Sequence, residues 1–289
     1  MAEVLVIIVT WNGMKWLERC IRSVESSTVP ADIFIVDNGS TDGTVKWIWD
    51  NTSENVQLHV ADRNLGFGAA NNIGLRHAIE KGYPYVYLLN QDAYLQPHTL
   101  ETMLNAFKSP RGKGFGILSP VQTDASGIGM DTNFRRHCDK YMKKSSASII
   151  EVPFIMAAHW MISREALEKT GGFSPSFTQY GEDDNYIHRL HFHGLRAGIV
   201  RLAKAVHDRQ SREITKEKRM KLKCVSTVVK VSDPNHFLVW RLLREPLELM
   251  GMSVIRFSAA PLKFLPGLIG RYPELISNRK ESKRTGAFL

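Results

Sequence analysis

Apolar and polar residues come in regular blocks over the first ninety positions. Val4–Thr10 is a short, continuous, β-branched apolar run, which reads as a strand buried on both faces. Leu17, Cys20, Ile21 and Val24 then recur at helical spacing, and Ile33–Asp37 is a second buried strand. Asn38-Gly39-Ser40-Thr41-Asp42-Gly43 is turn chemistry, in which Ser40 or Thr41 can cap a helix. Val56–Val60 reads as a third strand, Gly68–Lys81 as a helix and Tyr85–Leu89 as a fourth strand. Strands and helices alternating at these lengths predict βαβ units, hence an α/β fold with a mostly parallel central sheet flanked by helices.

The pattern is less regular beyond residue 90. Phe115–Val121 and Ile149–Met156 read as strands, and 122–148, with Gly, Ser, Asp and a basic run but no clear period, as a loop or flap. Arg164–Thr170 is a short helix stopped by Gly171-Gly172. Asp183–His193 is a helix behind an acidic cluster, and Ala197–Ala205 a late strand running to His207. From 211 to about 230 the pattern is basic and helical. Residues 236–270 are apolar with interspersed Arg and Lys and are interrupted by Pro246, Pro261 and Pro266. This organisation divides the chain into a body, 1–208, and a basic, mostly helical C-terminal extension, 209–289.

Charge sharpens that division. The net charge is +9, yet residues from 209 onward hold 17 Lys and Arg against 7 Asp and Glu, while the body holds 21 against 22. The basic character therefore belongs to the extension, which suggests an anionic partner: a lipid surface or, in a different class of protein, a nucleic acid. Leu238, Leu242, Leu243, Leu247 and Met250 have helical spacing with Arg241 and Arg244 alongside, which suits an in-plane helix on an anionic leaflet, a helix packed on the body or a homodimer interface. Pro246 argues against one continuous helix there. Three cysteines, odd in number and far apart, argue against a disulfide framework and fit a reducing cytoplasm. The N-terminal apolar run lacks a basic lead and reads as a strand, not a signal peptide. No stretch is apolar for long enough to span a bilayer.

Candidate chemistry sits at the strand ends, where ligands bind in open parallel sheets. The first strand ends in Thr10-Trp11-Asn12, the second in Asp37-Asn38 and the fourth in Asn90-Gln91-Asp92, while Asn64-Leu65-Gly66-Phe67-Gly68 follows the third. A dinucleotide fold would need Gly-x-Gly-x-x-Gly directly after the first strand, where this chain has Trp11-Asn12-Gly13-Met14-Lys15.

Five motifs carry a more specific resemblance. Val9-Thr10-Trp11-Asn12, the Val36–Gly43 stretch, Asn64–Gly74, Leu88-Leu89-Asn90-Gln91-Asp92 and Tyr180-Gly181-Glu182-Asp183-Asp184 stand in the order and spacing of family 2 glycosyltransferases of the GT-A fold. The chain most resembles the rhamnosyltransferase-type members over about residues 4–208. The resemblance implies that Thr10, Trp11 and Asn12 lie along the donor's nucleoside, with Trp11 walling the base. Asp37 and Asn38 would bond base or ribose, and Asn64, Gly66 and Asn71 would shape the path of the diphosphate and sugar. Asp92 would be the last acid of an Asp-x-Asp signature and hold Mg2+ or Mn2+ against the donor phosphates, with His207 as a further ligand. Asn90 stands where the first acid of that signature often stands, which leaves one carboxylate in the motif. Asp183 would be the general base of an inverting displacement, Asp184 its neighbour and alternative, and Glu182, Asp184 and Trp160 would face the acceptor. Without the resemblance, three acids at a helix start complement its macrodipole.

The expectation is a cytoplasmic, metal-dependent inverting glycosyltransferase, peripheral at the inner face of the membrane. It would move a hexose or deoxyhexose, rhamnose among them, from a nucleoside diphosphate to a glycan or lipid-linked glycan acceptor in cell-surface polysaccharide synthesis. No nucleic acid partner is expected. The competing classes are a non-catalytic nucleotide-sugar-binding module and a basic-tailed nucleic-acid-binding protein.

Overall fold

A computed structural model describes residues 1–209 and 215–289. The chain runs β1 (Val4–Thr10), α1 (Leu17–Glu25), β2 (Ala31–Asp37), α2 (Thr44–Asn51), β3 (Val56–Val60), α3 (Phe67–Lys81), β4 (Tyr85–Asn90) and β5 (Ala93–Leu95). It continues through α4 (Thr99–Lys108), β6 (Phe115–Thr123), α5 (Thr132–Lys144), β7 (Ile149–Val152), β8 (His159–Ser163), α6 (Arg164–Thr170), α7 (Glu182–Phe192) and β9 (Arg196–His207). The extension holds α8 (Lys216–Ser232), α9 (Leu238–Ile255), α10 (Ala260–Gly270) and α11 (Tyr272–Glu281). Within the basic stretch expected to be helical from 211, positions 211–214 lie outside the described residues.

The nine strands form one sheet in the order β3-β2-β1-β4-β8-β6-β9-β5, with β7 beside β9. β1, β2, β3 and β4 are mutually parallel, and β8 runs antiparallel to both β4 and β6. β6 and β9 are parallel to each other, so six strands point the same way and end on the same edge. This topology places the site, because the end of β9 at His207 joins the ends of β1, β2 and β4 although β9 is remote in sequence.

The sheet is buried on both sides, which explains the continuous apolar runs. Leu5 and Ile7 pack under α3 and α7, and Val4, Val6 and Ile8 pack under α1 and α4. The expected flap at 122–148 contains α5 instead. Asp131 caps it by accepting from the backbone N–H groups of Asn133 and Phe134, and only Phe134, Cys138 and Met142 enter the core. These three stand four residues apart, a narrow helical stripe that the Gly-, Ser- and charge-rich surroundings obscured. β8, between β4 and β6, was also not anticipated.

The extension has its own small core of Phe177, Cys224, Val228, Val231, Leu249, Leu268 and Leu275. Contrary to expectation, α9 is continuous through Pro246. Proline takes away the N–H that would bond the Leu242 carbonyl, and the Tyr272 hydroxyl of α11 donates to that carbonyl instead, at 3.0 Å. The last residues return to the body: the backbone N–H of Gly172 donates to Ala287, and Arg189 lies over the Phe288 ring.

Candidate active site

The register of the parallel strands assembles the edge. Thr10 is paired with Asp37, and Val9 with Asn90. Gln91, which the sequence reading left without a role, ties two of these ends together. Its Oε1 accepts from the Thr10 hydroxyl at 2.8 Å and from the Trp11 N–H at 2.9 Å, and its Nε2 donates to the Trp11 carbonyl. Trp11 is left with an open face, about half exposed. Asn12 adopts a positive φ of 50°, and its side chain accepts from the Thr41 N–H at 2.9 Å, joining the first and second loops.

Asp37 is fully buried. Its Oδ2 accepts from the Ser40 N–H at 2.9 Å and its Oδ1 has no partner, so one carboxylate oxygen is left over at the strand end. Two predicted ligands have other work. Asn38 is buried; its amide donates to Asn64 Oδ1 at 3.1 Å and its carbonyl oxygen accepts from the Leu65 N–H at 2.7 Å, so it braces the 64–66 loop. Asn71 is buried and donates to the Phe67 carbonyl at 2.9 Å within its own helix. Asn72, unassigned from sequence, clamps Phe173 through both its amide groups.

Gly66 stands where this loop meets the segment before α7. Its φ is +84°, and a Cβ there would lie 2.7 Å from the Thr178 carbonyl oxygen. Both the backbone angle and the close approach require glycine. Gly66→Ala is expected to cost about 1–3 kcal/mol of stability, read as a lowered urea midpoint; an unchanged midpoint would show that the contact does not constrain the loop.

Asp92 follows β4 directly. β5 and β9 are antiparallel, with Ala93 opposite His207, and this register brings His207 Nε2 to 3.6 Å from Asp92 Oδ1. Burial pushes the Asp92 carboxyl up, but the ring of His207 and the charge of Arg209 outweigh it and hold the group below the usual carboxylate range. His159 lies behind this pair. Its Nδ1 faces the Tyr87 hydroxyl and its Nε2 the Val206 carbonyl, both at 3.0 Å. A carbonyl only accepts, so Nε2 carries the proton and Nδ1 accepts from Tyr87. Burial, then the neighbouring His207, push its pKa down to about 3, in keeping with that neutral tautomer.

Glu182, Asp183 and Asp184 open α7 behind Gly181, whose φ is +90°. All three carboxyls are pushed up, each first by burial. Glu182 and Asp184 are raised to about 7, with the charge of Asp183 the next cause for both. The Asp184 N–H donates to Asp183 at 3.1 Å, and the Ala157 N–H and the Arg209 guanidinium also favour its ionised form. The charge of Arg209 is a minor cause favouring the ionised form of both Asp92 and Asp183, and sequence reasoning did not find it. Its Nε lies 3.2 Å from each ring nitrogen of His207.

The Glu182 shift has a measurable consequence. Between the ordinary 4.5 and about 7, the folded chain binds more protons than the unfolded chain, so this group lowers stability as pH rises through that window. Glu182→Gln removes the contribution. The melting temperature of the variant is expected to gain on the parent as pH rises across the window; parallel calorimetric curves would contradict the burial of this carboxyl.

Trp160 does not face an acceptor. It is fully buried, stacked on Phe173 at 6.2 Å between ring centroids and tilted against Tyr186 at 5.6 Å, so its ring is core packing between β8 and α7. A divalent cation fits Asp92 Oδ1 and His207 Nε2, a hard oxygen and an imidazole side by side. Among the described residues no group of three or more His, Cys, Asp or Glu converges as a ready-made cage, so further ligands would come from a bound anion.

Known proteins share this fold and parts of this sequence. A sequence profile of glycosyl transferase family 2 matches residues 5–171. The N-acetylglucosaminyl-diphospho-decaprenol L-rhamnosyltransferase of Mycobacterium tuberculosis is 26% identical over 241 residues, covering 72% of this chain and 76% of the relative. The undecaprenyl-phosphate mannosyltransferase of Micrococcus luteus is 31% identical over 109 residues, covering 37% of this chain; the match spans 45% of the relative's length. Among solved structures, S. aureus TarS in complex with UDP-GlcNAc superposes with a TM-score of 0.65 at 13% identity, over 97% of this chain and 83% of that one. The mannosyltransferase PcManGT from Pyrobaculum calidifontis, in complex with GDP-Man and Mn2+, gives 0.56 at 19%, over 97% and 74%. The fold is GT-A.

Proposed function

The chain belongs to glycosyl transferase family 2, and from that premise we propose that it transfers a hexosyl or deoxyhexosyl group, rhamnose among the candidates, from a nucleoside diphosphate to a lipid-linked glycan with inversion. The observation that carries the reading is Asp92 set 3.6 Å from His207 where β4 and β9 end, with the buried Asp183 opening α7. One carboxylate is held ionised and the other is raised toward neutrality, which separates an anion that binds a cation from a base that takes a proton.

Asp183 accepts the proton of the acceptor hydroxyl as its oxygen bonds to the anomeric carbon. The bond from that carbon to the diphosphate oxygen breaks on the opposite face, and the nucleoside diphosphate leaves with the electron pair. Asp92 and His207 would hold Mg2+ or Mn2+, which when bound neutralises charge on the leaving diphosphate. Arg209, beside His207, would add positive charge toward the leaving diphosphate. Trp11, Asn12 and Asp37 are assigned to the nucleoside, and Asn64 and Gly66 to the path of the diphosphate and sugar.

The M. tuberculosis relative acts on a diphospho-decaprenol, which supports a lipid-linked acceptor and a place at the inner face of a membrane, in glycan assembly for the cell surface. A thermal-shift screen of nucleoside diphosphates and nucleotide-sugars, with and without Mn2+, tests the donor assignment. A ligand that binds the native state raises the melting temperature by mass action. A rise for one nucleoside diphosphate, larger with Mn2+, is expected; no rise for any of them would overturn it.

A further inference from the structure

α9 is apolar on two opposite faces. Leu242, Leu249 and Met252 turn inward to the small core of the extension. Trp240, Leu243, Leu247, Met250 and Val254 follow one another at steps of three and four residues and are all exposed. Such a spacing is one continuous stripe along a helix. The stripe runs into the turn before α10, where Phe257 is 98% exposed with a positive φ of 48°. Of the twenty large apolar residues exposed among the described residues, eleven lie between 237 and 269. Contiguous exposed apolar surface on this scale marks an interaction site.

The charges of this segment are sorted by face. Its two acids, Glu245 and Glu248, turn inward and are held by Lys230 of α8, with Arg241 also on Glu245. Arg244, Arg256 and Lys263 remain exposed and form no ion pair among the described residues. Arg244 lies against Trp240, 6.0 Å from the ring centroid. The outward side thus presents apolar side chains and cations, and the one partly exposed carboxylate of α9, Glu248, is paired with Lys230. No helix among the described residues is long and apolar enough to cross a membrane. An apolar stripe flanked by cations on such a helix is the pattern that lies in the plane of an anionic leaflet.

We infer that the outward face of α9, with the Phe257 turn as its leading edge, is the surface by which the chain docks on an anionic lipid bilayer. This deepens the lipid-linked acceptor reading, on which it rests, by assigning the contact to named residues. α8 and α10 pack on α9, and α8 also packs on α7, so docking fixes the acid-bearing helix relative to the leaflet.

The test is flotation of the full chain with vesicles of phosphatidylethanolamine and phosphatidylglycerol, beside phosphatidylcholine vesicles. Binding to the anionic vesicles, weakened by salt, is expected. Leu247→Glu with Val254→Glu, both at exposed positions, should weaken it at least roughly tenfold while nucleoside diphosphate binding is unchanged. Arg256→Glu with Lys263→Glu should weaken it on anionic vesicles only. Absence of binding by the intact chain, or full binding by the apolar-face variant, overturns the proposal. So does a dimer in sedimentation velocity that the same variant dissolves, since a second copy then covers the face. Loss of nucleotide binding by the parent chain would instead sink the transferase reading and leave the vesicle result to stand alone.

Discussion

Asp183→Asn lowers transfer by roughly 10²–10⁴-fold while the donor still binds. The substitution keeps the shape of the side chain and removes its ability to take a proton. It therefore separates a base from a residue that merely starts α7. A helix-start acid contributes through its charge to stability and leaves turnover alone. The effect should fall on kcat with little change in KM for the donor, because the lost interaction belongs to the transition state. The pH profile adds a second readout. Burial raises the Asp183 carboxyl above its ordinary 3.8, and only the ionised form is a base, so the rate should rise with pH through a midpoint above the usual aspartate range. Glu182 and Asp184 titrate beside it, so that midpoint belongs to the cluster as a whole. Unchanged turnover in Asp183→Asn would transfer the role to Asp184.

Asp92→Ala abolishes the gain in nucleoside diphosphate affinity that Mn2+ provides. Calorimetry on parent and variant, each with and without Mn2+, gives four affinities. The parent with metal should bind most tightly, and the variant should be insensitive to metal. The expected loss is roughly 10–100-fold, the range seen when even an outer-shell partner of a metal is removed. Four equal affinities would take Asp92 out of the cation site. Asn90→Asp probes the same place in the opposite direction, since a second carboxylate should tighten metal-supported binding. If Arg209 shares the neutralising role, the metal-free parent retains measurable affinity and Arg209→Met loses it.

The parallel block from β1 to β4 was legible because strands covered by helices on both sides are continuous apolar runs. Their polar ends were legible for the same reason: Thr10, Asp37, Asn90 and Asp92 interrupt an apolar pattern where the strand ends. The Glu182–Asp184 cluster stood out as charge density at a helix start. α5 escaped because it anchors only through Phe134, Cys138 and Met142. β8 escaped because its apolar run follows Ala157-Ala158 without a turn signal to set it apart.

The sequence by itself determined the α/β class, the family, the edge of the sheet that carries polar groups, and the basic extension. Each is a local property, written in residue spacing, charge and motif order. Only the tertiary structure decided which of those polar groups serve the site and which brace it. Asn38 and Asn71 are taken up by hydrogen bonds inside the scaffold, and Trp160 is sealed between Phe173 and Tyr186. Asp92 and His207 come together only because β9 ends on the same sheet edge as β4. Likewise, the spacing of α9 places Leu242 and Leu247 alike on a helix, but α8, α10 and α11 cover the first and leave the second open. Burial and proximity depend on neighbours distant along the chain, and no pattern within one segment specifies them.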